Sequence, residues 1–135
     1  MTASSGAFSF SNGGQTSVPA LTNNGQLSPS AAPTGTPTLI GVTGDYTQSA
    51  SGVLNLNIGG ATCANSDALN VTGTATVASG ATLNVFTVAL CTSPTQPYLV
   101  LQAGPPIIGG FTAGTLPPRS PPYTIQQTSN IVKIV

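Results

Sequence analysis

Val53-Leu54-Asn55-Leu56-Asn57-Ile58-Gly59-Gly60 alternates apolar and amide side chains and then stops on two glycines. A period of two puts Leu54, Leu56 and Ile58 on one face of an extended strand and the two Asn on the other. The glycines end the run because Gly enters turn conformations at little steric cost. The apolar-Asn-apolar tripeptide recurs at Leu69-Asn70-Val71 and at Leu83-Asn84-Val85, the last running on through Phe86 and Val88 to Leu90. Its copies start at 54, 69 and 83, with small residues and single glycines between them. Short strands joined by tight Gly corners at such intervals are what a solenoid requires. An antiparallel β-sandwich tolerates similar spacing, although its turns hold more Asn-Gly and Asp-Gly pairs.

Outward from this stretch, Thr38 to Val42 reads as a strand ending at Thr43-Gly44-Asp45. Residues 1–37 read as an extended arm or linker, since Pro19, Pro29, Pro33 and Pro37 prevent any helix. Short apolar patches in that arm, Phe8 with Phe10 and then Val18 to Leu21, can each add a strand or dock on a neighbour. Residues 38–135 read as one β-solenoid domain that includes a Pro-rich loop over 92–122. One strand, Tyr98 to Leu101, lies inside that loop, and two final strands are expected over 123–126 and 130–135. Lys133 on the last of these is a charge that discourages unwanted pairing at a sheet edge. The expected fold is therefore all-β: a short right-handed parallel β-helix (β-solenoid) with an extended N-terminal arm and a Pro-rich C-terminal segment. The β-sandwich is the alternative.

Composition agrees with this class and excludes much else. Of 135 residues only Asp45, Asp67, Arg119 and Lys133 are formally charged, and Glu, His and Trp are absent. Two cations cannot neutralise a run of phosphates, so no nucleic-acid partner is expected. Neither a metal site nor a cofactor site is expected, because the side chains that build them are missing. Acid–base catalysis needs paired carboxylates and basic residues in a groove; Asp45 and Asp67 have neither beside them in sequence, so no enzyme and no catalytic residue are expected. Thr, Ser, Asn and Gln supply the polarity instead, and 39% hydrophobic residues suffice for a core. A net charge of zero favours association. Tyr46, Tyr98 and Tyr123 are the available recognition aromatics, with packing in a core or turn the more ordinary use of each.

Cys63 and Cys91 form an even pair without His or a Cys-x-x-Cys spacing, which favours one disulfide formed in an oxidising compartment over a metal site. No run of 18 apolar residues marks a membrane-spanning helix. The residues after Met1 show neither a basic region nor an apolar stretch of signal-peptide type.

The order of elements from Leu21 to Val135 resembles the β-helical passenger segments of bacterial autotransporters and related large surface proteins, which carry autotransporter-associated strand repeats. The resemblance rests on Asn24-Gly25-Gln26-Leu27-Ser28-Pro29, on Thr38 to Val42, and on Gly44-Asp45-Tyr46-Thr47-Gln48-Ser49-Ala50-Ser51-Gly52. It continues through Leu54 to Gly60, Asp67, and Leu69-Asn70-Val71-Thr72-Gly73-Thr74-Ala75. It implies a β-helix and a place outside the cell or on a bacterial cell surface, and it brings no catalytic residue. In such a fold Asp45 accepts backbone N–H bonds in a turn, and stacked Thr and Asn form ladders along the coil.

These readings converge on a structural extracellular protein. It is expected to be a subunit that assembles with copies of itself into a fibre or layer by head-to-tail stacking and strand addition. Phe8, Phe10, Ile131, Val132 and Ile134, the apolar residues near the two ends of the chain, are the candidate assembly residues. An adhesin, autotransporter passenger or phage-fibre segment that binds a host or cell-surface ligand is the alternative.

Overall fold

A computed structural model describes residues 2–3, 7–9, 17–30, 37–59, 65–87, 97–118 and 121–135, and these contain strands and turns without a helix. The strands fall into successive groups along the chain. β1 (Thr2–Ala3), β2 (Ala7–Ser9) and β3 (Ser17–Val18) are followed by β4 (Leu21–Asn23), β5 (Gln26–Ser28) and β6 (Leu39–Val42). Next come β7 (Tyr46–Gln48), β8 (Val53–Gly59), the short β9 (Asn65–Ser66) and β10 (Ala68–Val71). β11 (Ala75–Val77), β12 (Thr82–Thr87) and β13 (Tyr98–Ala103) precede β14 (Ile108–Gly109) and β15 (Thr112–Ala113). β16 (Ile125–Gln127) and β17 (Ile131–Ile134) close the chain.

Three sheets take these strands in rotation. Sheet A is β1-β4-β7-β11-β14, sheet B is β2-β5-β8-β12-β15, and sheet C is β3-β6-β10-β13-β17-β16. Each of the first four circuits of the chain adds one parallel strand to every sheet, the last adds β14 and β15 to sheets A and B alone, and none of the sheets closes into a barrel. Antiparallel pairing is confined, among the described residues, to β9 on β8 and to the β16–β17 hairpin on β13. The antiparallel sandwich is overturned by this pairing. A parallel neighbour needs a long crossover, and here each crossover is the rest of a circuit through the other two sheets.

The register stacks like on like toward the interior. Leu27, Leu54 and Leu83 form one inward column and Ile40, Leu69 and Leu101 another. Val18, Val42, Val71 and Ala103 form a third. These side chains lie almost wholly out of solvent and belong to a single apolar core. Burying each Leu or Ile contributes about 1.5–3 kcal/mol. Sheets this narrow are stable because each strand's backbone groups pair with the circuits on either side while its alternate side chains fill the interior.

Three sequence expectations are corrected here. Residues 17–30 are not an arm: Val18, Leu21 and Leu27 are core residues, and β3, β4 and β5 pair with β6, β7 and β8. Pro19 and Pro29 lie at corners between strands, where no ladder N–H is required of them, so they coexist with the sheets. For the same reason the Pro-rich stretch carries β14 and β15 as well as β13, with Pro105-Pro106 and Pro117-Pro118 between and after the strands. The true period is one full circuit: Leu54-Asn55-Leu56 stacks directly on Leu83-Asn84-Val85 in sheet B, while Leu69-Asn70-Val71 belongs to sheet C. The shorter interval counted two different walls as one.

Candidate functional site

Corners hold the circuits in alignment. Between sheets C and A, Gly44 and Gly73 stack on one another, with the Gly73 N–H donating to the Gly44 carbonyl at 3.0 Å. A Cβ at Gly73 would lie 2.6 Å from that carbonyl oxygen and would also collide with Asp45 Oδ1. Only a residue without Cβ lets the circuits approach this closely. Asp45 accepts the Thr74 N–H at 2.8 Å. The expected turn acceptor is therefore present, and it serves the corner one circuit later. Between sheets A and B the corners at 49–52 and 78–81 are tight turns, closed by Gly52 N to Ser49 O at 3.1 Å and Ala81 N to Ala78 O at 3.1 Å.

Between sheets B and C lies a buried polar knot. Asp67, fully out of solvent, accepts the Thr38 N–H at 2.6 Å and the Asn57 N–H at 2.8 Å, one on each carboxylate oxygen. The Ser30 hydroxyl lies 2.9 and 2.7 Å from the same two oxygens, and Asn57 Nδ2 donates to Ser30 Oγ at 2.8 Å. Burial pushes the Asp67 carboxyl above its ordinary value, outweighing the opposite pull of the bonds from Asn57, Ser30 and Thr38. Four separate segments meet at one side chain.

Amide ladders run along the sheets. On sheet B, Asn84 Nδ2 donates to Asn55 Oδ1 at 3.1 Å, and Asn55 Nδ2 donates to Gln26 Oε1 at 3.3 Å. Asn84 Oδ1 in turn accepts the Thr115 N–H at 2.8 Å, so the ladder reaches the last circuit. Inside sheet A, Gln48 Oε1 accepts from Asn23 Nδ2 at 2.9 Å and from the Tyr46 hydroxyl. Burial raises the Tyr46 phenol far above its ordinary pKa, and the phenol stays neutral. The outward column of sheet A is a Thr stack, Thr2, Thr22, Thr47 and Thr76, ending at exposed Ile108.

The candidate assembly residues separate. Val132 and Ile134 are buried in the core and Ile131 is half-buried. β17 is an inner strand between β13 and β16, which corrects the expectation of a terminal edge; Lys133 consequently does not guard one. Phe8 lies on β2, the outermost strand of sheet B, while Phe10, Cys63 and Cys91 lie outside the described residues. Tyr46, Tyr98 and Tyr123 are all buried, as packing residues.

At their two ends the sheets finish differently. Sheets A and B begin with β1 and β2 and end with β14 and β15, whereas the outgoing edge of sheet C is covered by the β16–β17 hairpin. β15 pairs with only Thr82 and Leu83 of the longer β12. Beside the remainder of β12 lies a cavity of about 280 Å³ lined by Val85, Phe86, Thr87, Leu116, Pro117 and Pro118. Among the described residues no three His, Cys, Asp or Glu side chains gather into a metal-binding group, and no helix is long and apolar enough to cross a membrane. Comparison with protein-family models, with curated proteins and with solved structures finds no match for this chain.

Proposed function

We propose that the three walls form a short right-handed parallel β-helix, and that the chain is a structural extracellular protein that stacks head to tail on copies of itself. What supports the coil is the rotation of the strands through sheets A, B and C, together with the strong right-handed preference of parallel crossovers. The observation that carries the assembly is the pair of parallel edges at each end: β1 and β2 at one, β14 and β15 at the other, in the same two sheets. Such edges present backbone donors and acceptors to an incoming strand. A head-to-tail joint between unlike edges gives an open filament when its rotation does not close. Zero net charge removes the repulsion that would hold copies apart. The hairpin on sheet C confines the joint to sheets A and B.

The likeness to autotransporter-type passengers supports a place outside the cell or on a bacterial surface, as does the Cys pair. A second reading, a surface adhesin or passenger fragment, has the apolar cavity beside β12 as its supporting observation. Removal of residues 1–9, which takes away β1 and β2 and keeps β3 with the core residue Val18, tests the assembly. The truncated chain is expected to sediment as a monomer under conditions in which the full chain forms particles of many subunits. Unchanged particles from the truncated chain contradict strand addition through β1 and β2.

A further inference from the structure

Asn24-Gly25 forms the corner between β4 of sheet A and β5 of sheet B. It has two residues, whereas the two corners stacked next after it span four, Ser49 to Gly52 and Ala78 to Ala81. Asn24 is exposed and its amide makes no hydrogen bond within the described residues. The following Gly25 N–H is held by a single long bond, 3.2 Å, to Asn23 Oδ1. Gly has no side chain to shield its nitrogen.

We propose that Asn24 is a site of spontaneous backbone modification that loosens the first two circuits irreversibly. The Gly25 nitrogen, once its proton has passed to hydroxide, attacks Asn24 Cγ. A new C–N bond closes a five-membered succinimide, and the side-chain nitrogen leaves as ammonia after taking a proton from water. Water then opens the ring at one of its two carbonyls. One opening leaves an ordinary aspartate where the asparagine stood. The other gives an isoaspartyl linkage, in which the main chain runs through the former side chain and gains a methylene. No redox partner is required.

The surroundings of residue 24 turn this small change into a structural one. Immediately before it, the Asn23 carbonyl accepts the Ser49 N–H at 3.0 Å; immediately after it, the Gly25 carbonyl accepts the Val53 N–H at 2.7 Å. Asn23 Nδ2 is fixed as well, donating to the Val53 carbonyl at 2.9 Å and to buried Gln48 Oε1. These bonds set the length of backbone allowed between β4 and β5. An added methylene cannot keep both flanking bonds, so β4 and β5 must give up part of their pairing with β7 and β8. β1 and β2 pair with β4 and β5 and go with them. The inference does not depend on stacking between copies.

The test incubates the folded chain at neutral and mildly alkaline pH and maps its peptides by mass spectrometry, with the unfolded chain as control. Peptide-level mapping is essential because Asn12-Gly13 repeats the dipeptide elsewhere in the chain. The expected result is a gain of about one dalton at residue 24 in the folded chain, faster at higher pH, with an isoaspartyl fraction. Amide exchange in β4 and β5 rises in that fraction and stays unchanged in Asn24→Ser treated identically. Retention of the Asn24 amide in the folded chain, while the unfolded control converts, overturns the proposal. Conversion without faster exchange in β4 and β5 overturns its structural consequence.

Discussion

Two residues carry more than their size. Gly73 is where one circuit's backbone touches the next, and Gly73→Ala pushes a methyl onto a main-chain carbonyl that has no rotamer to escape into. The expected cost is about 1–3 kcal/mol, read as a lower denaturation midpoint. An unchanged midpoint means the corner can relax. Asp67 gathers Ser30, Thr38 and Asn57, and Asp67→Asn sets an amide N–H₂ against a backbone N–H on whichever oxygen it replaces. Leaving that buried donor unsatisfied costs about 1–3 kcal/mol. The raised Asp67 carboxyl also has a sign in pH. The native state holds its proton more tightly than the unfolded chain, so this group's stabilisation is fully present below about pH 4 and is lost as pH rises through the elevated native value. With two Asp in the chain and no Glu or His, little else titrates nearby. Thermal melts are expected to show higher stability at about pH 3 than at pH 8, with the difference abolished in Asp67→Asn. A flat or inverted profile contradicts the assignment. Asp45 was readable in sequence as a turn acceptor. The gathering around Asp67 was not, because its partners are far from it along the chain and meet only when circuits stack.

At the scale of elements, alternation in 53–58 located a strand and its inward face correctly, since Leu54, Leu56 and Ile58 are core residues. It assigned the two Asn to an outer face without showing that both are buried: Asn55 joins the amide ladder to Gln26 and Asn84, and Asn57 lies beneath Ser30 and Asp67. Strands of two or three residues, such as β3, β14 and β15, carry too few residues for a period to be visible, which is why prolines dominated the reading of both ends. The terminal hairpin was legible as two strands, but not as an antiparallel lid on sheet C. Its role predicts a contrast between neighbours. Val132→Asp places an unpaired charge in the core and is expected to cost about 3 kcal/mol or more, whereas Lys133→Ala changes stability by less than about 0.5 kcal/mol. Equal effects in denaturant titrations would mean β17 is not packed as described. The even count of cysteines without His or a Cys-x-x-Cys spacing carries the proposed Cys63–Cys91 disulfide. A non-reducing thiol assay is expected to find no free thiol; two titrating thiols contradict the pair.

For the whole molecule, the near-absence of charge and the end strands of sheets A and B, unpaired on their outer side among the described residues, bear on the same question. The outermost parallel strands of sheets A and B offer the pairing that their inner strands already use, spaced by about 4.8 Å. In this chain the lid on sheet C covers one edge of three at the outgoing end, and the few charges provide little electrostatic guard elsewhere. The proposed self-stacking rests on that arrangement. Negative-stain electron microscopy of the full chain near neutral pH tests it most directly. The account predicts unbranched filaments of a single narrow diameter that grow longer with protein concentration. Dispersed particles of one 13.3 kDa chain at every concentration would contradict it.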